Sequence, residues 1–268
     1  MIQVAPRTQI RHTLKSVNHV VSELGFSPHR LLSFVKGLPV FFYQSLQYSR
    51  QSRTAQHALP ISGAFPCITD RYENAGKLDR HYFLQDIWAA RKIFQNKPEK
   101  HVDVGSRVDG FVAHLLSFRD VEVLDIRALE SPVAGMTFHQ ANLMDSATVP
   151  TSAYDSVSCL HALEHFGLGR YGDPIDPDGH VKGLNSLIQM LKPGGKLILS
   201  VPIGRERVEF NGHRVFDPCT IVQLAQPSLT LEQFAYIDDQ GILHDHALIQ
   251  DLSTLVYGCG LFEFLKSS

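Results

Sequence analysis

Residues 160–180, LHALEHFGLGRYGDPIDPDGH, are dense in groups that can hold or move a proton. His161 and His165 are four residues apart and share a face if the chain turns helical there, with Glu164 beside them. Imidazoles next to a carboxylate suit general acid–base work. Arg170, Tyr171, Asp173, Asp176 and Asp178 follow in a stretch too rich in Gly and Pro to be a regular element. His161, His165, Asp173, Asp176 and His180 also offer metal-ligating atoms, but their spacing matches no zinc pattern and no metal is expected. Further on, FNGHRVF brings His213 and Arg214, fit to contact an acidic or sugar group or, for Arg214, to pair with a carboxylate.

These residues need a scaffold, and the hydrophobic pattern supplies one. A helix starts at Asp79, a plausible N-cap, and runs through RHYFLQDIWAARKIFQ to Pro98, with Phe83, Ile87, Ala90 and Phe94 expected toward the core. From Lys100 strands and helices alternate. KHVDV, VEVLDI, MTFHQA, YDSVSCL and GKLILSV read as strands, and LTLEQFAYIDD and LVYGCGLFEFLK as two closing strands. DGFVAHLLSF reads as a helix with Phe111, Leu115 and Phe118 on one face. VKGLNSLIQML places Leu184, Leu187, Ile188 and Leu191 on a stripe, KPGG turns into the next strand, and Asp217 and Pro218 cap and open another helix. This alternation predicts an α/β fold: a Rossmann-like, seven-stranded, mostly parallel sheet with helices on both faces and the last strand antiparallel.

Ligands of such sheets sit beyond the carboxyl ends of the strands. The first such end is Asp103-Val104-Gly105, where Gly105 lets the backbone approach a ligand and the next helix offers N–H groups. Asp125 closes the second strand 22 residues after Asp103, where a carboxylate can accept both ribose hydroxyls of an adenosine. GSRVDG supplies neither the G-x-G-x-x-G of a dinucleotide site, which a nicotinamide oxidoreductase would need, nor the Gly-Lys-Ser/Thr of an ATP loop. A ribose acid without a pyrophosphate loop points to an adenosine cofactor lacking phosphates, and S-adenosylmethionine is that cofactor.

The order HVDVGS, VEVLDI, TFHQANLMD, YDSVSCLHALEHF, LKPGGKLILSVP resembles the successive motifs of class I S-adenosylmethionine-dependent methyltransferases over about residues 100–265. HYFLQDIWAARKIF, DVGSRVDGF and GLGRYGDPID resemble an uncharacterised branch often linked to surface-glycan synthesis, which implies a role in polysaccharide biosynthesis. The resemblance implies a methyltransferase moving a methyl group by direct displacement to a small-molecule or glycan-linked acceptor. It puts Asp103 and Gly105 beside the methionine part of the cofactor, with Ser106 offering a backbone donor. Asp125 would hold the ribose and Ile126 lie against the adenine. Asn142, in place of the family's usual Asp, would take the adenine amino group, with Leu143 giving the neighbouring N–H. Leu160 and His161 would face the sulfonium end. His161 or His165 is the implied base, and the loop with Arg170, Tyr171 and Asp173, joined by His213 and Arg214, the implied acceptor clamp. Arg107 departs from the Asp-x-Gly-x-Gly-x-Gly pattern, and two readings follow: it turns inward to bind the methionine carboxylate, or it fills the pocket and leaves a catalytically silent binding protein for a glycan or protein partner. Tyr82 and Gln85 either cover the cofactor or pack.

Charge divides the chain. Met1 to Arg53 holds seven Lys or Arg against one acid, while the rest holds 18 basic and 26 acidic residues. Overall near-neutrality gives no sign of a nucleic-acid partner. The reading is a helical arm with a linker over 1–78, its helix interrupted at Pro39, and a methyltransferase domain over 79–268. The arm is expected to dock on the domain or on a membrane surface. Four scattered cysteines without a C-x-x-C pair, no span of about 18 apolar residues, and no apolar signal segment fit a cytoplasmic protein, peripheral to a membrane at most.

Overall fold

A computed structural model describes residues 28–59, 61–72, 78–130, 133–249 and 252–267. The contacts divide the chain into two units, Met1–Lys77 and Leu78–Ser268. In the first, helix α1 spans Pro28–Gln51. It is continuous through Pro39, so the expected break there does not occur. Proline removes one N–H and crowds one turn, and the helical residues on both sides carry the rest of the ladder. None of the described helices is long and apolar enough to cross a membrane. The expectations that fall on residues 1–27 lie outside the described residues.

The second unit is built on an eight-stranded sheet. Its strands are β1 (His101–Val104), β2 (Val121–Asp125), β3 (Met136–Gln140), β4 (Tyr154–Leu160), β5 (Leu191–Ile203), β8 (Leu229–Ile237), β9 (Leu243–His244) and β10 (Gly258–Lys266), in the order β3-β2-β1-β4-β5-β10-β8-β9. β10 runs antiparallel to both β5 and β8, and β9 is a two-residue addition at the edge. A separate hairpin, β6 (Arg207–Glu209) with β7 (His213–Val215), was not foreseen in the sequence.

Period-two burial assigns the faces. Leu197, Leu199, Val201, Phe262 and Phe264 join one core with helices α4 (Gly179–Met190) and α5 (Pro218–Ala225). Ile198, Leu261 and Cys259 point the other way into a core with α2 (Arg80–Asn96) and α3 (Ala113–Leu116), the latter entered through a π-turn at Val108–Val112. α2 presents a different stripe from the expected one. Gln85, Asp86, Ala89, Ala90 and Ile93 are buried, while Phe83 and Phe94 are exposed. The alanines permit a close approach, and polar partners fix the rotation: Asn96 donates to the buried Glu263 of β10 at 2.8 Å and Lys92 pairs with it at 2.9 Å. Phe94 meets Phe118, itself half-exposed beyond the end of α3, edge to face at 5.3 Å.

Candidate active site

The carboxyl ends of β1, β2 and β4 and the turn after β3 enclose a cleft of about 520 Å³, open mouth included. Gly105, Asp125, Ile126, Asn142, Leu143, His161, His165, Tyr171 and Asp173, all singled out from sequence, line it, and Arg127 joins them. Gly105 is left-handed (φ 70°), and a Cβ there would stand 2.9 Å from Ala162 Cβ. Gly105→Val is therefore expected to lower the stability of the fold by about 1–3 kcal/mol, read as a fall in unfolding midpoint.

Asp103, fully buried, is the bolt of the loop rather than part of its lining. Its carboxylate accepts from Ser106 N (3.1 Å), Ser106 Oγ (2.7 Å) and Ser158 Oγ (2.6 Å), and Ser106 Oγ accepts from Leu160 N at 3.2 Å. Burial pushes Asp103 up to about 6, against these hydrogen bonds. Two expectations change. The Ser106 N–H is used by Asp103, so it is no free donor, and Leu160 packs in the α2–α3 core and does not line the cleft.

Arg107 follows neither sequence reading. It is exposed, pairs with Asp109 at 3.0 Å and lies over the Tyr82 ring at 5.4 Å, so it neither fills the cleft nor points into it. The decisive arginine is Arg127. Its Nη2 meets Asp125 Oδ2 at 2.7 Å, its Nε and backbone N donate to Asp125 Oδ1 at 3.0 and 2.8 Å, and its guanidinium covers the Tyr171 ring at 4.3 Å. The Asp125 carboxylate thus already holds a bidentate partner. Asn142 Oδ1 accepts from Met144 N (3.0 Å), which fixes the turn, and among the described residues the Leu143 N–H has no hydrogen-bond partner.

The polar loop after β4 is mostly self-supporting. Asp173 accepts from the N–H groups of Gly167, Gly169 and Tyr171, and Asp176 takes Lys182 and the Asp178 N–H. Arg214 is buried and donates to the carbonyls of Glu164, Phe166, Asp176 and Pro177. Asp173 and Arg214, expected as acceptor contacts, instead spend their hydrogen bonds on backbone. Arg170 donates to Gly212 O in the β6–β7 turn and stacks over Tyr171 at 5.2 Å.

The histidines occupy the centre. His161 is left-handed (φ 49°), and its N–H is held by Ser200 O (3.1 Å) and Ser200 Oγ (3.0 Å). Ser200 in turn donates to the buried Gln85, which donates to Asp86. Gln85 is thus a packing and positioning residue. His161 Nδ1 lies 2.8 Å from Glu164 Oε1, so that nitrogen carries the proton. Among the described residues His161 Nε2 and Glu164 Oε2 are both buried without a well-aligned hydrogen-bond partner, although the Cys259 side chain lies against the imidazole. Burial works against the charged imidazole, but the Cys259 and Glu164 side chains outweigh it and raise His161 well above its ordinary value. His165 donates from Nδ1 to Gly212 O at 2.7 Å, and burial holds it below its ordinary value.

Around His161 stand rings from distant segments: Tyr82 at 5.2 Å and His81 at 6.5 Å, with Tyr257 next to His81 (5.8 Å) and His213 (5.0 Å). Burial keeps both phenols protonated and both outer imidazoles lowered. The cluster gathers uncharged rings around His161, with the buried Glu164 carboxylate behind it. Among the described residues no group of three His, Cys, Asp or Glu is placed to hold a metal ion. His81 and Tyr257 lie within the quoted stretches HYFLQDIWAARKIF and LVYGCGLFEFLK, but nothing in either pattern set them apart from their neighbours. Arg127 left one trace, its place two residues after the strand-closing acid.

The family described as Caenorhabditis protein of unknown function, DUF268, matches residues 125–241. No curated protein matches the sequence. Among solved structures, the 1,6-didemethyltoxoflavin-N1-methyltransferase of Burkholderia thailandensis, with 1,6-didemethyltoxoflavin and S-adenosylhomocysteine bound, superposes with a TM-score of 0.50 at 14% identity over 69% of this chain and 80% of that one. A putative sarcosine dimethylglycine methyltransferase from Galdieria sulphuraria gives 0.50 at 13% identity over 69% and 86%.

Proposed function

We propose, from a domain that carries the fold of class I S-adenosylmethionine-dependent methyltransferases, that this chain is such an enzyme acting on a hydroxyl-bearing small-molecule or glycan-linked acceptor. One observation carries the reading: the strand-closing acid Asp125, the bare Gly105 turn and the unsatisfied His161 share one cleft. Fold alone would not suffice. The residues present fit the cofactor. The Gly105 turn has no room for a side chain, the Leu143 N–H has no hydrogen-bond partner among the described residues, and Ile126 offers an apolar wall.

Asp125 would hold the ribose, Ile126 and Leu143 the adenine, and Gly105 the amino-acid end. Bound there, S-adenosylmethionine supplies an activated methyl group. The chain's own work is placement and proton management. Tyr82, His161 and Tyr257 present flat faces and polar tips to an uncharged acceptor, and the lowered His81 and His213 add no fixed charge. His161 takes the acceptor's proton at Nε2, while Glu164 holds the imidazole by Nδ1 and balances its charge. His165, its tautomer fixed by Gly212 O, braces the β6–β7 hairpin against the loop.

Isothermal titration of the full chain with S-adenosylmethionine tests the reading. Micromolar binding, followed by release of S-adenosylhomocysteine with hydroxylated acceptors, is the expected result. A folded sample that gives no heat would establish the catalytically silent protein instead.

A further inference from the structure

We infer that α1 is an interfacial helix whose apolar face lies on an anionic lipid surface. Leu31, Val35, Leu38, Phe42 and Leu46 recur at helical spacing along its 24 residues. Phe42 and Leu46 are 59% and 61% exposed. The opposite side is taken: Gly37 lies against Ile68 and Tyr72, so close that a Cβ on it would meet Ile68 Cγ2 at 2.5 Å. The helix is therefore covered on its back by its own unit and open on its apolar front. The segment that follows adds exposed Leu59, Ile61 and Phe65, the last 91% exposed, and Tyr48 Oη tethers it by donating to Leu59 O.

Charge selects the occupant. Residues 28–59 contain four Lys or Arg and no Asp or Glu. Arg50 borders the apolar face, and Lys36 lies farther round on the same side of the helix. An apolar, aromatic face with a basic border and no acid is the pattern that sits in a headgroup layer, where the rings enter the acyl boundary and the cations meet lipid phosphates. Spanning is excluded for this helix by its polar side. A protein partner or a second copy of the chain would bury the same apolar face without requiring that acids be absent.

The test is flotation of the full chain with vesicles of phosphatidylcholine alone and with phosphatidylglycerol added. The expected result is co-flotation with the anionic vesicles, severalfold weaker at high salt and lost in the doubly substituted F42E/L46E chain. Both substituted positions are exposed, and an unchanged unfolding midpoint of that variant shows that the fold is retained. A milder variant, Lys36→Gln with Arg50→Gln, is expected to lose the preference for anionic over neutral vesicles. Absence of flotation overturns the proposal, as does equal binding to both vesicle types. A dimer in light scattering that F42E/L46E dissociates, without flotation, would assign the face to a second copy.

Discussion

His161→Asn is expected to lower methyl transfer by about 10²–10⁴-fold while leaving the fold and cofactor binding intact. Asparagine tolerates the left-handed backbone that position 161 adopts, so the Ser200 bonds to the main chain survive and only the ring is lost. The pH profile identifies the proton acceptor. His161 is held above its ordinary value of 6.5, so its proton-accepting form appears only as pH rises past that value, and the rate should rise with it. Glu164→Gln removes the carboxylate 2.8 Å from Nδ1, so the rise should move to lower pH and reach a lower plateau. His165→Asn should leave the position of the rise unchanged. The histidine Cε1–H resonances report the same titration without any acceptor: the His161 ring is expected to titrate above 6.5, its resonance absent in His161→Asn and its titration shifted down in Glu164→Gln. A rate that tracks His165 would transfer the role to that residue.

The second large effect separates Asp125 from Arg127. Asp125→Ala is expected to weaken S-adenosylhomocysteine binding by about 10–100-fold, because it deletes the strand-closing acid in the cleft wall that would take two ribose hydroxyls, each charge-assisted bond being worth about 1.5–3 kcal/mol at most. Arg127→Ala should act in the opposite direction. The guanidinium now occupies the Asp125 oxygens and must leave them before a ribose can dock. Arg127 is 51% exposed, so the pair is screened and its rupture costs about 1 kcal/mol or less, equivalent to at most about fivefold tighter binding for the alanine variant. Since the same guanidinium covers Tyr171, its release would also free the loop that carries Arg170 and Tyr171. If both variants weaken binding, Arg127 contacts the cofactor directly and is no latch.

Much of the scaffold was legible because it is written in local patterns. Near-continuous apolar runs such as LILSV are buried on both faces, as central strands of a sheet are, and the segments of helical spacing between the strands must then cover it. The same logic put Asp103, Gly105 and Asp125 at strand ends, because strand ends are where pattern and turn residues meet. It failed where hydrophobicity competes with polar satisfaction. The α2 stripe with Phe83 and Phe94 is the more apolar choice, yet Gln85, Asn96 and Lys92 needed Ser200 and Glu263 and turned the helix toward them.

Within the site, residue types were readable but their duties were not. Asp173 and Arg214 carry the charges that an acceptor would seek, and only the fold shows those charges already spent on backbone groups. Sequence by itself determined the sheet, the strand-end acids and the two histidines, because each is fixed by spacing within a few residues. Tertiary structure alone decided that Arg127 rather than Arg107 lines the cleft, over Tyr171, and that His81, Tyr82 and Tyr257 gather around His161, because these meetings join segments far apart in the chain.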